Sequence, residues 1–274
     1  MQLHHAGSLS EASIDRLILT EDGSDELRID LSEVTFIEPA GLVVLACLSE
    51  MQYASGASVS VVAPSLLETK NYASRMGLGD VLTAHCDAED TFPITRRNET
   101  PTLLELRRYE TEDDADSLIA DVDHCLASAG LLPGQRQPVT EILMEIAQNS
   151  IEHSGTSVAY FAAQAYEVMN LGRRVAIAVG DFGIGIRESF AGTIYESADD
   201  AQAILSAVES GVSRYQVPSR GRGLPFSIAH RGIANSGRFS VRSGLTTVSF
   251  SEGNVRPRER NWLPGTLITA MIDC

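Results

Sequence analysis

The chain has 274 residues, of which 43% are hydrophobic, and a formal net charge of -16. This is about the length of two average domains, with enough apolar residues for two cores, and no apolar run reaches the roughly 18 to 20 residues that cross a bilayer. Phosphate binding draws on clustered Lys and Arg, so the negative charge makes nucleic acid a poor partner, and the lack of a secretory pattern at the start predicts a cytoplasmic protein.

The first part of the chain is predicted to form a β-α-β-α unit. Residues 27–31 alternate apolar and polar side chains, as a half-buried strand does. From Gly41 the apolar residues repeat at helical spacing, and a second strand, SVSVVAP, follows at residues 58–64. A second helix begins at Leu66 and ends near Gly77. This order of elements requires a sheet with helices packed on it.

Residues 93–104 contain two prolines and several polar residues, and are predicted to be a linker. They divide the chain into a first domain at residues 1–92 and a second at residues 105–274. In the second domain, helices are predicted at residues 113–129, 137–153 and 201–211. Strands are predicted in the segments TSVAYFAAQAYE, RRVAIAVGDFG, RFSVRSG, TTVSFSE and GTLITAMI, of which the first two form an antiparallel pair around a turn at residues 170–172.

Two charge runs flank these elements. An acidic cluster at residues 110–116 is predicted to open a helix and to complement the helix dipole, although a solvated face is the plainer alternative. A basic run contains Arg256, Arg258 and Arg260 and is interrupted by Pro257. We expect an exposed loop between strands there, because proline cannot donate to a strand ladder.

A helical segment, EILMEIAQNSIEH, places three polar side chains on one face. Glu145, Asn149 and His153 recur every four residues, and side chains at that spacing lie one above the other on a helix. Such a face can hold a water, a divalent metal and phosphate oxygens. Glu141 lies one turn earlier on the same face, but the four-residue step to Asn149 favours Glu145 as the general base.

Two glycine-containing turns follow. The apolar run VAIAV leads into Asp181, Gly183 and Gly185, where the backbone can approach a flat base closely and the carboxylate can accept a hydrogen bond from an exocyclic amine. A second loop, with Gly221 and Gly223, leads into an apolar helix, so its amides and the helix dipole are placed to receive phosphates.

Other nucleotide and metal chemistries do not fit the residues. The only lysine, Lys70, does not follow a glycine, so a Walker A loop is absent. The DFG string at residues 181–183 has no HRD-type loop and no strand lysine beside it, which excludes a protein kinase of the usual fold. Neither glycine loop completes G-x-G-x-x-G. The cysteines are far apart without a C-x-x-C pair, which indicates free thiols over a metal or disulfide framework; they are Cys47, Cys86, Cys125 and Cys274.

The order and spacing of these segments resemble the GHKL ATPase superfamily, which includes gyrase, MutL, sensor histidine kinases and anti-sigma-factor serine kinases, over residues 105–274. The resemblance implies a Bergerat-type α/β sandwich, a mixed sheet with helices on one face, that binds ATP and Mg²⁺. It implies that Glu145 is the catalytic general base, that Asn149 is the metal ligand, and that Asp181 reads adenine in a pocket shaped by Gly183 and Gly185.

The same resemblance assigns the remaining site residues. Thr266 corresponds to the threonine that helps to hold an adenine-bound water, and His153 stands where the anti-sigma kinases place a histidine that contacts phosphate or lid; a helix-capping or packing role for His153 remains open. The phosphate loop that closes the lid corresponds to Arg220, Gly221, Arg222, Gly223 and Leu224. Arg222 is the best source of positive charge on the terminal phosphates, since no lysine is available there.

Residues 10–90 resemble the STAS fold of anti-sigma-factor antagonists, through VTFIEPAGLVVL and the APSLLETKNYASRMGLGDVL segment. Regulated members of that family carry a phosphoacceptor hydroxyl where the first helix begins. Here the corresponding positions are Glu38, Pro39, Ala40 and Gly41, and no hydroxyl is left. The resemblance therefore implies a STAS-like domain that is not itself phosphorylated at the usual site.

Two functions remain open from the sequence. One is an ATP-binding regulatory protein that acts as an anti-sigma-type serine/threonine kinase or slow ATPase on a partner protein, which would be STAS-like or sigma-factor-like. The other is a non-catalytic, ATP-gated switch in which the STAS-like domain holds a partner. A third reading, in which the N-terminal region only stabilises the ATPase domain, also remains. Many relatives dimerise, so a homodimer is an additional expectation.

Overall fold

The structure is a computed structural model that describes residues 2–17, 26–85, 103–137, 139–140, 158–168, 172–208 and 237–273. The strands are β1 (Gln2–His4), β2 (Gly7–Leu9), β3 (Glu26–Asp30), β4 (Val34–Ile37), β5 (Ser58–Val62), β6 (Leu103–Tyr109), β7 (Ala159–Val168), β8 (Gly172–Asp181), β9 (Gly237–Ser251) and β10 (Asn254–Asp273). The helices are α1 (Pro39–Ala54), α2 (Leu67–Arg75), α3 (Leu78–His85), α4 (Glu112–Ala129), α5 (Gly185–Ser189) and α6 (Asp200–Val208). The α/β class predicted from the sequence is confirmed.

The N-terminal part contains a three-stranded sheet in the order β1-β3-β5 and a pair formed by β2 and β4, and all of these pairings are parallel. The predicted strands at β3 and β5 and the predicted helices at α1 and α2 are confirmed. The second helix does not end the unit, because α3 begins directly after a break at Gly77. Gly77 has a φ of 75°, a left-handed conformation that glycine adopts at little cost.

Helix α1 is apolar on every side from Pro39 to Leu48. Its residues from Pro39 to Glu50 are all buried, which is the pattern of a helix covered on more than one face. Proline at the first helical position suits the fixed φ of that residue. Gly41 allows β2 to approach, since a Cβ there would lie 2.6 Å from Cγ of Leu9. Helix α1 therefore packs closely on its own unit and still has a second face to bury.

The C-terminal sheet has five strands in the order β6-β7-β8-β10-β9. Each pairing recorded among them is antiparallel, so the predicted mixed sheet is wrong for the described residues. For two of the four pairings the reason is local: β7 is followed directly by β8 and β9 by β10, and short connections of that kind join antiparallel neighbours. The predicted antiparallel pair around residues 170–172 is confirmed by the register of β7 on β8.

Strand β9 reverses within its length. The hydroxyls of Ser240 and Ser249, nine residues apart, lie 3.1 Å from each other, whereas a straight strand would separate them by about 30 Å. The rings of Phe239 and Phe250 are likewise 5.9 Å apart. The chain turns at Gly244, whose φ is 59°. The two halves of β9 thus lie side by side, as the separate predicted strands RFSVRSG and TTVSFSE imply.

The basic run is not a loop, which corrects the prediction from Pro257. Arg256, Arg258 and Pro257 belong to the first half of β10, where they pair with β9. Proline is tolerated because β10 pairs with β8 only from Leu267 onward, so within the described part of the chain the first half of β10 has a partner on one side only and lies at an edge.

The two faces of the C-terminal sheet are covered by different parts of the chain. On β8, Val175, Ile177 and Val179 point into a core shared with α4 and α6. The alternate residue Ala178 belongs instead to the core that contains α1, and a Cβ on Gly180 would lie 2.8 Å from Cγ1 of Val43. Small residues on this face let α1 approach the sheet. The N-terminal part therefore supplies the second cover of the sheet, and its core crosses the predicted boundary at residues 93–104.

Polar contacts reinforce this association at both sides of α1. Asp15 accepts hydrogen bonds from Arg242, at 2.5 Å, and from Arg260, at 3.1 Å. Glu11 pairs with Arg238 at 2.8 Å. These three arginines lie on β9 and β10, so the segment between β2 and β3 is bound to the end of the C-terminal sheet that these two strands form.

A second polar cluster surrounds Glu50 near the end of α1. The hydroxyl of Tyr160, on β7, donates to Glu50 Oε2 at 2.5 Å, and Arg108, on β6, donates at 3.3 Å. His85 Nε2 lies 3.0 Å from the same oxygen, and its Nδ1 lies 3.1 Å from the Ser49 hydroxyl. Burial lowers the pKa of His85, although Glu50 opposes the shift. The pKa of Glu50 is lowered despite its own burial, because Tyr160 and Arg108 stabilise the charged carboxylate.

Helix α4 begins as its sequence predicts. Thr111 and Asp114 form a capping box, in which each side chain accepts from the backbone of the other. Glu112, Asp113 and Asp114 lie in the first turn, where negative charge is favoured by the helix dipole. Gly130 ends the helix with a φ of 105°. None of the described helices combines the length and the apolar character needed to cross a membrane.

Candidate functional site at the end of strand β8

Asp181 is the last residue of β8, between β7 and β10, and is 6% exposed. Its Oδ1 accepts a hydrogen bond from the backbone N–H of Gly183 at 2.8 Å. The backbone N–H of Thr266, on β10, donates to the same carboxylate. The Asp181 carboxylate is thus held by two backbone donors: one lies in the turn that follows β8, and the other lies on the neighbouring strand β10.

Burial raises the pKa of Asp181 to about 7, even though both backbone donors act to lower it. Burial acts in this direction because an apolar environment disfavours the charged form. Near neutral pH the carboxyl therefore exchanges between charged and neutral forms. A ligand that donates a hydrogen bond to it stabilises the charged form, which is the property expected of a residue that reads an exocyclic amine.

Glycines around Asp181 leave no room for side chains. A Cβ on Gly265, which has a φ of 69°, would lie 2.3 Å from the backbone oxygen of Asp181 and 2.6 Å from its Oδ1. Gly185 has a φ of 77°, and a Cβ added to it would lie 2.8 Å from the hydroxyl oxygen of Ser243. The backbone of β10 and that of the turn after β8 can therefore approach the carboxylate closely.

The segment after Asp181 is fixed by side chains from neighbouring elements. The Ser243 hydroxyl accepts from the backbone N–H of Ile186 at 2.9 Å and donates to the carbonyl of Gly265 at 2.9 Å. Asp200, the first residue of α6, accepts from the N–H of Leu245 at 2.7 Å and lies 3.2 Å from Nε of Arg187. Residues 183–200 are thereby attached to the turn of β9.

A small cavity lies between Asp181 and α1. It is bordered by Val43, Cys47, Gly180, Asp181 and Thr266, among others, and its space is that of about one water molecule. It is far too small for a nucleotide. Its importance is positional, since it places α1 immediately next to the residues that hold the Asp181 carboxylate.

Cys47 in this cavity is a free thiol, and so is Cys125. Burial raises the pKa of both thiols, for Cys125 to about 11. The prediction of free buried thiols is confirmed for these two residues. Cys86 and Cys274 lie outside the described residues.

The structure brings together four of the predicted site residues: Asp181, Gly183, Gly185 and Thr266. The others lie outside the described residues, and they are Glu145, Asn149, His153, Arg220, Gly221, Arg222, Gly223 and Leu224. Among the residues described, no group of three or more His, Cys, Asp or Glu side chains could hold a metal ion.

Sequence reasoning missed Ser243 and Gly265. Gly265 directly precedes Thr266, and that adjacency is the one signal that pointed to it. Ser243 carried no signal, because a serine between an arginine and a glycine is also common in plain turns.

In comparisons with known proteins, no family model, no curated protein and no solved structure matches this chain.

Proposed function

We propose that this chain is an ATP-binding regulatory protein whose adenine site is built around Asp181. The observation that supports this most is the Asp181 carboxylate itself: it is buried, its pKa is raised to about 7, and it is held by the backbone of Gly183 and Thr266. Among the residues that the structure describes, no cation pairs with this carboxylate, and a buried carboxylate without a cationic partner is costly. That cost is reduced when a ligand supplies hydrogen-bond donors to it.

Adenine fits this requirement. Its exocyclic amine is a neutral donor that can bind a carboxylate, and the glycines at 185 and 265 let backbone alone pack closely around the Asp181 carboxylate. The phosphates would then extend towards Glu145, Asn149 and the loop at residues 220–224, with Mg²⁺ held by Asn149, as the sequence resemblance implies. Glu145 would act as general base.

The first form of the proposal is phosphoryl transfer from ATP to a hydroxyl of a separate partner protein, or slow hydrolysis. A separate chain is proposed as the source of the acceptor, because the turn that corresponds to the usual phosphorylation site in the N-terminal part contains no hydroxyl. Pro39, Ala40 and Gly41 of that turn are also buried. A STAS-like or sigma-factor-like partner with an exposed hydroxyl is the kind of acceptor that suits this arrangement.

The second form is a non-catalytic switch, and one observation favours it. Helix α1 packs against β8 directly beside Asp181, with Val43 in contact distance of a Cβ at Gly180. Movement of the Asp181 segment on binding adenine would therefore change the packing of the N-terminal part. A partner held by that part would then bind with an affinity that depends on ATP.

Calorimetric titration with ATP and Mg²⁺ tests the site, with phosphate release measured in the same sample. Asp181→Asn is expected to lose binding, because the side-chain oxygen would be occupied by the two backbone donors and the amide N–H₂ would face the donor of adenine. Asp116→Asn, on an exposed position of α4, is the matched control. Equal ATP affinity in Asp181→Asn and the parent would refute the assignment.

Catalysis is tested separately with Glu145→Ala. Under the first form of the proposal, ATP binding persists and phosphate turnover disappears. An unchanged turnover rate in this variant would remove Glu145 from the catalytic role. Binding without any turnover in the parent, with or without a candidate partner, would leave the switch as the function.

A further inference from the structure

Ser243 occupies a position that joins the two halves of the candidate adenine site. It is 3% exposed and ends the first half of β9, directly before the reversal at Gly244. Its recorded neighbour on β10 is Thr266. Its hydroxyl therefore lies between the strand that contains Thr266 and the turn that follows Asp181.

The hydroxyl makes one hydrogen bond to each side. It accepts from the N–H of Ile186 at 2.9 Å, and it donates to the carbonyl of Gly265 at 2.9 Å. Ile186 is the second residue of α5, which directly follows the turn that contains Gly183, and Gly265 directly precedes Thr266. Gly183 and Thr266 are the two residues whose backbone N–H groups hold the Asp181 carboxylate.

We infer that Ser243 is a positioning residue for adenine recognition: its hydroxyl fixes the spacing between the Gly183 turn and the Thr266 strand, and so aims the Asp181 carboxylate at the base. This inference rests on the proposed function, because it concerns the same site. The two hydrogen bonds of the Ser243 hydroxyl go to backbone groups and not to the Asp181 carboxylate. Ser243 therefore acts through the two backbone segments that hold the carboxylate.

The plain alternative is that Ser243 is one more buried serine that has satisfied its hydrogen bonds. Ser240 shows what that alternative looks like. It is on the same strand, is 2% exposed, and bonds to the hydroxyl of Ser249 at 3.1 Å. Its recorded hydrogen bond joins the two halves of β9 and reaches neither the Gly183 turn nor Gly265. Ser240→Ala is therefore a matched control for Ser243→Ala.

The test is titration of the full chain with ATP, ADP and GTP in the parent, Ser243→Ala and Ser240→Ala. Ser243→Ala is expected to weaken ATP and ADP equally, by about tenfold or roughly 1.4 kcal/mol, because the loss lies at the base and not at the phosphates. Its preference for ATP over GTP should shrink, since the carboxylate is less well aimed. Ser240→Ala should bind as the parent does.

A pH profile separates positioning from general stability. Loss of Ser243 loosens the Gly183 turn, which weakens a donor that favours the charged form of Asp181, so the pH midpoint of ATP binding should move upward in Ser243→Ala. Ser240→Ala should leave the midpoint unchanged. If Ser243→Ala does not fold, Ser243→Cys, which preserves most of the volume but bonds weakly, replaces it in the same comparison.

The outcomes are distinguishable. No ATP binding by the parent at millimolar concentration would overturn the proposed function, and this inference with it. Binding by the parent with equal affinity, base preference and pH midpoint in the Ser243 and Ser240 variants would overturn the inference alone. The combined loss of affinity, base preference and midpoint in Ser243→Ala, with none in Ser240→Ala, would support it.

Discussion

Gly180→Ala tests whether α1 is packed on the C-terminal sheet as described. The new Cβ would lie 2.8 Å from Cγ1 of Val43, 3.3 Å from the carbonyl oxygen of Thr266 and 3.4 Å from Cδ1 of Leu267. Real Cβ atoms do not approach a carbon to 2.8 Å, so the Val43 side chain or α1 itself must shift. Overpacking of this kind costs about 1 to 3 kcal/mol of the free energy of unfolding.

A double-mutant cycle with Val43→Ala makes the test specific. Val43→Ala alone leaves a small void and costs about 2 kcal/mol. In the double variant the alanine at 180 occupies the space that Val43 vacated. The loss of unfolding free energy in the double variant should therefore be smaller than the sum of the two single losses by about 1 kcal/mol or more, since the residues are in contact.

Urea unfolding followed by circular dichroism gives the four free energies of the cycle. Gly134→Ala is the control, because a Cβ at Gly134 meets no atom within 4 Å. Gly134 lies in a short helical segment at residues 133–137, where alanine should stabilise the protein slightly. Strictly additive losses at Val43 and Gly180 would show that α1 does not contact β8, and the shared core would be refuted.

Three further predictions follow from the site and the polar contacts. ATP affinity should fall as the pH is lowered through about 7, because Asp181 must be charged to accept a hydrogen bond from adenine. Calorimetry in buffers of different ionisation enthalpy should detect proton release on binding. An ATP affinity that does not change from pH 6 to 8 would contradict this. Glu50→Ala should lower the free energy of unfolding by about 2 to 3 kcal/mol, because it leaves the fully buried Tyr160 hydroxyl without its partner, and Tyr160→Phe should cost less in the same urea titration. A fragment of residues 105–274 should bind a hydrophobic dye or aggregate, because it exposes the sheet face that α1 covers; a monomeric, dye-free fragment by size-exclusion chromatography would argue against that cover.

Without ATP, the contribution of Asp181 to the free energy of unfolding should depend on pH in the direction opposite to that of ATP affinity. The folded pKa of Asp181 is raised above the unfolded value near 3.8, so the folded state binds more protons between pH 4 and 7. Its contribution to stability therefore falls as the pH rises through that range. Asp181→Asn should reduce this slope in urea titrations without ATP, and an unchanged slope would show that another group titrates there.

Much of the secondary structure was predictable because its signals are local. The apolar run VAIAV defined β8 and ended it at Asp181, and the acidic residues after Tyr109 marked the start of α4. The reversal of β9 was predictable from Gly244, which interrupts two alternating runs. In each case a few neighbouring residues determine the element.

The remaining features depend on contacts between distant residues. The apolar run GLVVLACL in α1 predicted burial, but nothing in its sequence indicated that the sheet of the C-terminal part is its second neighbour. Pro257 was misinterpreted because its tolerance depends on lying at an edge, which is a property of the whole sheet. Ser243 matters through two hydrogen bonds to residues more than twenty positions away, and no local pattern encodes them.

Because α1 lies in one core that is shared by the N-terminal part and the C-terminal sheet, substitutions in it must preserve packing on both sides of the helix. A larger residue at position 180 would have to be accompanied by a smaller one at position 43, and neither change alone would be neutral. Homologous chains should therefore show paired substitution at these two positions. Exchange of the N-terminal part for an unrelated module by recombination would break that pairing, so the two parts are expected to be inherited together.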